Sequence, residues 1–237
     1  MKIGILLCDE HHPDSLDEFG TYDNDFIAML GEDHFSEFKV WRCYLGEFPS
    51  SVFDCDGWVF SGSKTSVYEL ESWIDDTCDF IVEADRQKRS MLGICFGHQI
   101  IHMALGGDVK KSDKGWGVGV KLFSVLEEYP PLRKDQHISL IVVHQDQVLR
   151  KANGFKLIAG SGFCPNAITA KGDHILTFQP HPEFTSPFFR QLAERLRQKA
   201  DSTLVDLALA SLDKCGEGDR PLAISMIQDF FLRHKIS

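Results

Sequence analysis

The chemistry available to this chain lies in a cysteine set between glycines and in a histidine and glutamate held in a proline-rich loop. Cys95 sits in Leu92-Gly93-Ile94-Cys95-Phe96-Gly97-His98-Gln99, where the apolar run Ser90–Ile94 meets a helical pattern over Phe96–Leu105. That is the layout of a nucleophile elbow with a thiol in the usual serine's place. The chain must leave a strand, turn sharply and enter a helix within two residues. Such a turn strains the Cys95 backbone and is expected to leave the sulfur exposed. Gly93 and Gly97 suit it because a Cβ two residues to either side would crowd the turn. At a helix start, unpaired backbone N–H groups and the helix dipole favour thiolate over thiol. The structural reading of Cys95 is a buried thiol between incidental glycines.

A thiolate nucleophile needs an acid/base partner, and Gln179-Pro180-His181-Pro182-Glu183-Phe184 offers one. The two prolines are expected to hold the backbone extended around His181. In an extended chain His181 and Glu183 share a face, their Cα atoms about 6.6 Å apart. Glu183 can then accept the imidazole Nδ1–H, fix the tautomer and leave Nε2 toward the sulfur. The developing oxyanion needs donors as well. One is the backbone N–H of Phe96, the residue after the nucleophile. The other is expected from the turn after Trp58–Ser61, at Gly62 or Ser63.

The elements that must position these residues follow from periodicity. Ile3–Cys8, Phe38–Tyr44, Trp58–Ser61 and Ser90–Ile94 read as strands. Between them Asp14–Leu30 and Ser72–Lys88 repeat apolar residues at helical spacing. Alternating strands and helices imply a parallel sheet covered on both faces, with reactive loops at the strands' C-terminal ends. After Gly106-Gly107 the pattern changes to short strands at Val118–Val125, Leu140–His144, Lys156–Ser161, Ala167–Ala170 and Ile175–Gln179. These are expected to form an antiparallel layer continuing the sheet. Pro187–Leu212 and Pro221–Arg233 read as helices opening near proline.

Composition narrows the class. The chain has 237 residues, 43% hydrophobic and 25% charged, which suits one α/β domain. A net charge of −10 argues against a nucleic-acid partner bound by phosphate neutralisation. No apolar run approaches a membrane span, and Met1-Lys2 leads straight into a core strand, so a cytoplasmic protein is expected. Seven cysteines without a C-x-x-C pair fit reduced thiols better than a disulfide frame.

Taken together, Gly93-Ile94-Cys95-Phe96-Gly97-His98-Gln99 and His181-Pro182-Glu183 resemble the class I glutamine amidotransferases, over roughly residues 1–190. The resemblance implies a flavodoxin-like α/β core with helices on both faces of a mostly parallel sheet. It also implies a domain over 1–190, with 191–237 as a helical extension packed on it. Activity is expected on the side-chain amide of glutamine or a γ-glutamyl peptide, with no cofactor and no metal. Cys95 is then the nucleophile, His181 the acid/base and Glu183 its orienter. Gln99 is similar to the residue that helps hold the substrate's amino-acid end. Val143-His144-Gln145-Asp146-Gln147-Val148 is similar to a pocket-lining His-x-Asp-x-Val stretch, which places His144 and Gln145 against the substrate.

Gly62-Ser63-Lys64 departs from the Gly-Gly-Pro many members carry, so the local turn is expected to differ. Neither a P-loop nor a Ser-Gly-Gly-x-Asp-Ser pyrophosphate loop is present. The chain therefore looks like the stand-alone γ-glutamyl peptidase and GMP synthase-like branch. The competing expectation is a subunit delivering ammonia to a separate synthetase. Two weaker motifs complete the reading. His98 and His102 lie one residue from H-E-x-x-H, but Gln99 is no general base and no third ligand is evident. Gly115–Gly119 precedes a strand, the reverse of the order a dinucleotide loop requires.

Overall fold

The computed structural model of the chain describes residues 1–233. It contains eleven strands and seven α-helices among the described residues. The first half runs β1 (Lys2–Leu7), α1 (Leu16–Phe19), α2 (Tyr22–Leu30), β2 (Glu37–Arg42), β3 (Gly57–Phe60), α3 (Ser72–Arg86), β4 (Ser90–Ile94) and α4 (Phe96–Ala104). The strands β5 (Asp108–Lys111), β6 (Gly117–Val125), β7 (His137–His144), β8 (Asp146–Arg150), β9 (Phe155–Gly160), β10 (Ile168–Lys171) and β11 (Ile175–Phe178) follow. The chain then enters α5 (Ser186–Leu196), α6 (Ser202–Cys215) and α7 (Arg220–Leu232).

Nine strands form one mixed sheet in the order β2-β1-β3-β4-β11-β10-β9-β6-β7. The pairs from β2 through β4 to β11 are parallel, and those from β11 to β7 are antiparallel. This is the expected α/β architecture, with one refinement. β11, read with the antiparallel layer, pairs parallel to β4, with Phe178 beside Ile94. Its end therefore lies next to the elbow, and the residues that follow it reach Cys95.

Strand alternation explains the two-sided core. In β1, Ile3, Ile5 and Leu7 face one apolar cluster while Leu6 faces the other. α3 and α4 cover the second face with Trp73, Ile74, Ile81, Phe96, Ile100 and Ile101. α2, α5, α6 and α7 cover the first. Met226, Ile227, Phe230 and Phe231 of α7 are fully buried there. Each such side chain contributes about 1.5–3 kcal/mol, so α7 is integral to the core. The expected boundary at residue 190 falls within α5, whose Phe189 and Ala193 enter the same cluster.

Two expected elements differ and one pair of strands was not expected. The helix over Asp14–Leu30 is interrupted at Gly20, φ 74°, into a short turn and α2. Pro187–Leu212 is two helices, because the chain turns after Leu196 and restarts where the Asp201 side chain caps the Thr203 N–H at 2.7 Å. β5 and β8 pair as a separate two-stranded antiparallel sheet that the periodicity of these short, charged segments did not reveal. No helix among the described residues is long and apolar enough to cross a membrane.

The elbow accounts for its glycines. A Cβ on Gly97 would lie 2.1 Å from the Phe60 carbonyl oxygen, and one on Gly93 would lie 2.5 Å from the Gly97 carbonyl oxygen. Both obstacles are backbone, so neither can move aside. Gly97→Ala should cost at least about 1–3 kcal/mol, or roughly 2–4 °C of melting temperature per kcal/mol at this chain length. Gly162→Ala, whose Cβ meets nothing within 4 Å, is the control. Thermal unfolding of the two variants checks this, and equal melting points would contradict the packing.

Candidate active site

Cys95 occupies the turn between β4 and α4 with φ 53° and ψ −103°. A non-glycine residue there costs of order 1–3 kcal/mol and persists only where its surroundings hold it. Hydrogen bonds on each side do so. The Cys95 N–H donates to the Phe178 carbonyl of β11 at 2.7 Å. The Gly97 N–H donates to the Ser61 carbonyl at 3.0 Å, tying α4 to the loop after β3. The expected exposed sulfur is corrected in one respect. Cys95 is only 7% exposed and lies in the wall of a cavity of about 350 Å³. Access to it runs through that cavity because α5 and the loop after β1 rise around the elbow.

His181 and Glu183 meet, by a different route from the one expected. Pro182 and Glu183 form a turn in which the Phe184 N–H approaches the His181 carbonyl at 3.4 Å. The turn, rather than an extended chain, brings Glu183 Oε1 to 2.7 Å from His181 Nδ1. His181 is fastened by its N–H to the Ile141 carbonyl of β7 at 2.8 Å, and its ring stacks on Phe184, 7° from parallel. Its Nε2 is buried without a hydrogen-bond partner. Burial disfavours a charged imidazole here, but the Glu183 carboxylate and then Cys95 outweigh it and push the His181 pKa up to about 10.

Gly62 closes the group. A Cβ at this position would lie 2.8 Å from the Tyr22 hydroxyl, 3.3 Å from His181 Cε1 and 3.7 Å from Cys95 Cβ. The loop is fixed to β1, with the Ser61 N–H donating to the Leu6 carbonyl and the Cys8 N–H to Ser61 Oγ. Where a proline in the following position would have no N–H, Lys64 donates its own to Asp9 Oδ2 at 2.8 Å. Its ammonium also pairs with Asp9 Oδ1 at 3.0 Å.

Gly62, Ser63, Gln99, His144 and Gln145 line the same cavity as Cys95 and His181. Glu183 stands behind His181 at 1% exposure. Phe96 is not among the residues lining the cavity; its ring points into the opposite core against Trp73. Gln99 Nε2 donates to the Asp146 carbonyl at 2.9 Å and to Gln179 Oε1 at 3.1 Å. Its carbonyl oxygen is the atom left for a ligand. His144 Nδ1 lies 3.1 Å from the Asp146 carbonyl, and burial, then the His181 charge, lower its pKa to about 4. Burial thus favours its neutral form.

His98 and His102 are turned away from the cavity. His98 Nδ1 meets Thr177 Oγ1 at 2.8 Å. His102 Nε2 meets Thr169 Oγ1 at 2.9 Å, and its Nδ1 accepts the Ala152 N–H at 3.1 Å. Both ring nitrogens of His102 are thereby occupied. No group of three or more His, Cys, Asp or Glu among the described residues could hold a metal ion.

Tyr22, at the start of α2, escaped the sequence reading. Its hydroxyl donates to Glu183 Oε1 at 2.9 Å. The two residues lie 161 positions apart, and no local motif marks the tyrosine.

The fold and this site define a cysteine-hydrolase type of α/β protein. Residues 36–194 match the model of the glutamine amidotransferase class-I family, and the chain belongs to that family. It is 32% identical to γ-glutamyl peptidase 2 of Arabidopsis thaliana over 186 residues, covering 76% of this chain and 75% of that one. It is also 32% identical to the glutamine-hydrolysing GMP synthase of Clostridium acetobutylicum over 207 residues, 83% of this chain but 38% of that enzyme. Among solved structures, a glutamine amidotransferase from Thermotoga maritima superposes with a TM-score of 0.76, covering 100% of this chain and 98% of that one. At 15% identity, that likeness concerns the fold alone.

Proposed function

We propose that the chain hydrolyses a γ-glutamyl amide bond, in a γ-glutamyl peptide or glutamine, through a thioester on Cys95. The observation that carries this reading is the strained Cys95 facing one cavity with a His181 whose other nitrogen is held by Glu183. The Cys95 thiolate attacks the γ-carbonyl carbon. The carbonyl oxygen becomes an oxyanion that accepts hydrogen bonds from the Phe96 N–H and from Gly62 or Ser63. Collapse of that intermediate breaks the C–N bond, and the departing amine takes the His181 Nε2 proton. Water, giving a proton back to His181, attacks the thioester carbonyl. Glutamate leaves, and the sulfur is restored as thiolate. Pocket-lining Gln99, His144 and Gln145 would orient the glutamyl part.

A peptide leaving group is favoured because several relatives of similar length are named γ-glutamyl peptidases, although another of similar length is named a putative glutamine amidotransferase. Purified protein incubated with γ-glutamyl dipeptides, glutathione and glutamine should release free glutamate, fastest from a peptide. Release from glutamine alone, rising when an ATP-using synthetase is added, would replace this reading with an ammonia-delivering subunit. No glutamate from any of them would remove the activity altogether.

A further inference from the structure

We propose that Tyr22 is a positioning residue for the acid/base pair: its phenol locks the Glu183 carboxylate and, with the same oxygen, sets the distance to the Gly62 loop. The assignment rests on the roles proposed above for Cys95, His181 and Glu183. Glu183 Oε1 faces both His181 Nδ1, at 2.7 Å, and the Tyr22 hydroxyl, at 2.9 Å. Glu183 Oε2 is buried and has no hydrogen-bond partner. Without Tyr22, His181 would be the one group holding the carboxylate, which could rotate and exchange its oxygens. The phenol is suited to donate. It is 5% exposed, and burial, then the Glu183 charge, push its pKa well above the usual tyrosine value.

The same hydroxyl lies 2.8 Å from where a Cβ on Gly62 would stand. One side chain therefore touches both the pair that moves the proton and the loop offered to the oxyanion. Tyr22 is itself braced. Its N–H donates to Glu10 Oε1 at 2.7 Å, and the same oxygen takes the His11 N–H at 2.8 Å. Its ring packs on His11 and Phe26, with centroids 4.9 and 5.0 Å away. His11 is pinned from both sides, with Nδ1 3.0 Å from the Gly20 carbonyl and Nε2 3.0 Å from Asp25 Oδ2. His11 meets Asp25 as an ion pair and packs on the Tyr22 ring. Its part is to hold Tyr22.

The test compares wild type, Tyr22→Phe, Glu183→Gln and the double variant by two readouts. One is the rate of Cys95 alkylation by iodoacetamide at neutral pH, resolved by peptide mass spectrometry because Cys215 is exposed and competes for the reagent. The other is kcat and KM on a γ-glutamyl substrate. Tyr22→Phe keeps the ring and should melt close to wild type. It should slow alkylation and lower kcat by roughly tenfold, as loss of a charge-assisted hydrogen bond does, with KM unchanged. In the Glu183→Gln background it should add nothing, because Tyr22 acts through Glu183. Wild-type alkylation and kcat in Tyr22→Phe, or a tenfold loss that multiplies with that of Glu183→Gln, would overturn the assignment. Alkylation requires no substrate, so it scores Tyr22 even if no γ-glutamyl amide is hydrolysed.

Discussion

Cys95→Ala should lower glutamate release by at least about 10⁴-fold, the scale on which hydrolases lose turnover when the nucleophile is removed. No other thiol can stand in. Cys164 does not line the cavity, is 2% exposed, and burial raises its pKa to about 12. The other buried thiols of Cys8, Cys43 and Cys55 belong to the cluster on the far face of the sheet. Alanine keeps the volume of the turn nearly unchanged, so the variant should fold and its melting point should stay near wild type. Glutamate assays beside thermal unfolding check both halves. Turnover retained in folded Cys95→Ala would take Cys95 out of the mechanism.

His181→Ala should slow turnover by at least about 10²-fold, the usual worth of a positioned acid/base. A wild-type rate would point to another imidazole. His144 also lines the cavity, but it is held neutral with a pKa near 4 and poorly suited to protonate an amine at neutral pH. The pH dependence has a definite sign. His181 is raised from an ordinary 6.5 to about 10 in the fold. Its charge therefore stabilises the folded state fully below pH 6.5, and that contribution is lost as pH rises through about 10. Imidazole resonances followed by NMR should show a protonated His181 well above neutrality. In Glu183→Gln the transition should move down, since that carboxylate is the largest group favouring the charge. A His181 titrating near 6.5 in wild type would mean that the pair is not coupled.

Much of this site was legible because its strongest constraints are local. Gly93, Cys95 and Gly97 are a steric statement, and the structure bears it out in contacts of 2.1 and 2.5 Å to backbone oxygens. The His181–Glu183 contact was also readable, although prolines that suggested an extended chain frame a turn. Sequence reasoning weighed the φ restriction of Pro182 and missed that proline equally suits the second position of a turn. Gly20 and the Asp201-Ser202 start were available as helix breaks and caps, yet the apolar spacing ran past both. Tyr22 was beyond reach. Its contact with Glu183 arises only in the folded chain, and nothing near position 22 encodes a partner at 183. The Asp9–Lys64 latch is of the same kind: a departure from Gly-Gly-Pro was visible, but not the carboxylate that answers it.

The most direct test of the covalent mechanism is to quench wild-type protein with acid during turnover of a γ-glutamyl substrate and map acylated peptides by mass spectrometry. A glutamyl group should be found on the Cys95 peptide, absent in Cys95→Ala and released by hydroxylamine, as a thioester requires. Turnover with no acyl group on Cys95, or with the acyl group on another residue, would contradict the account.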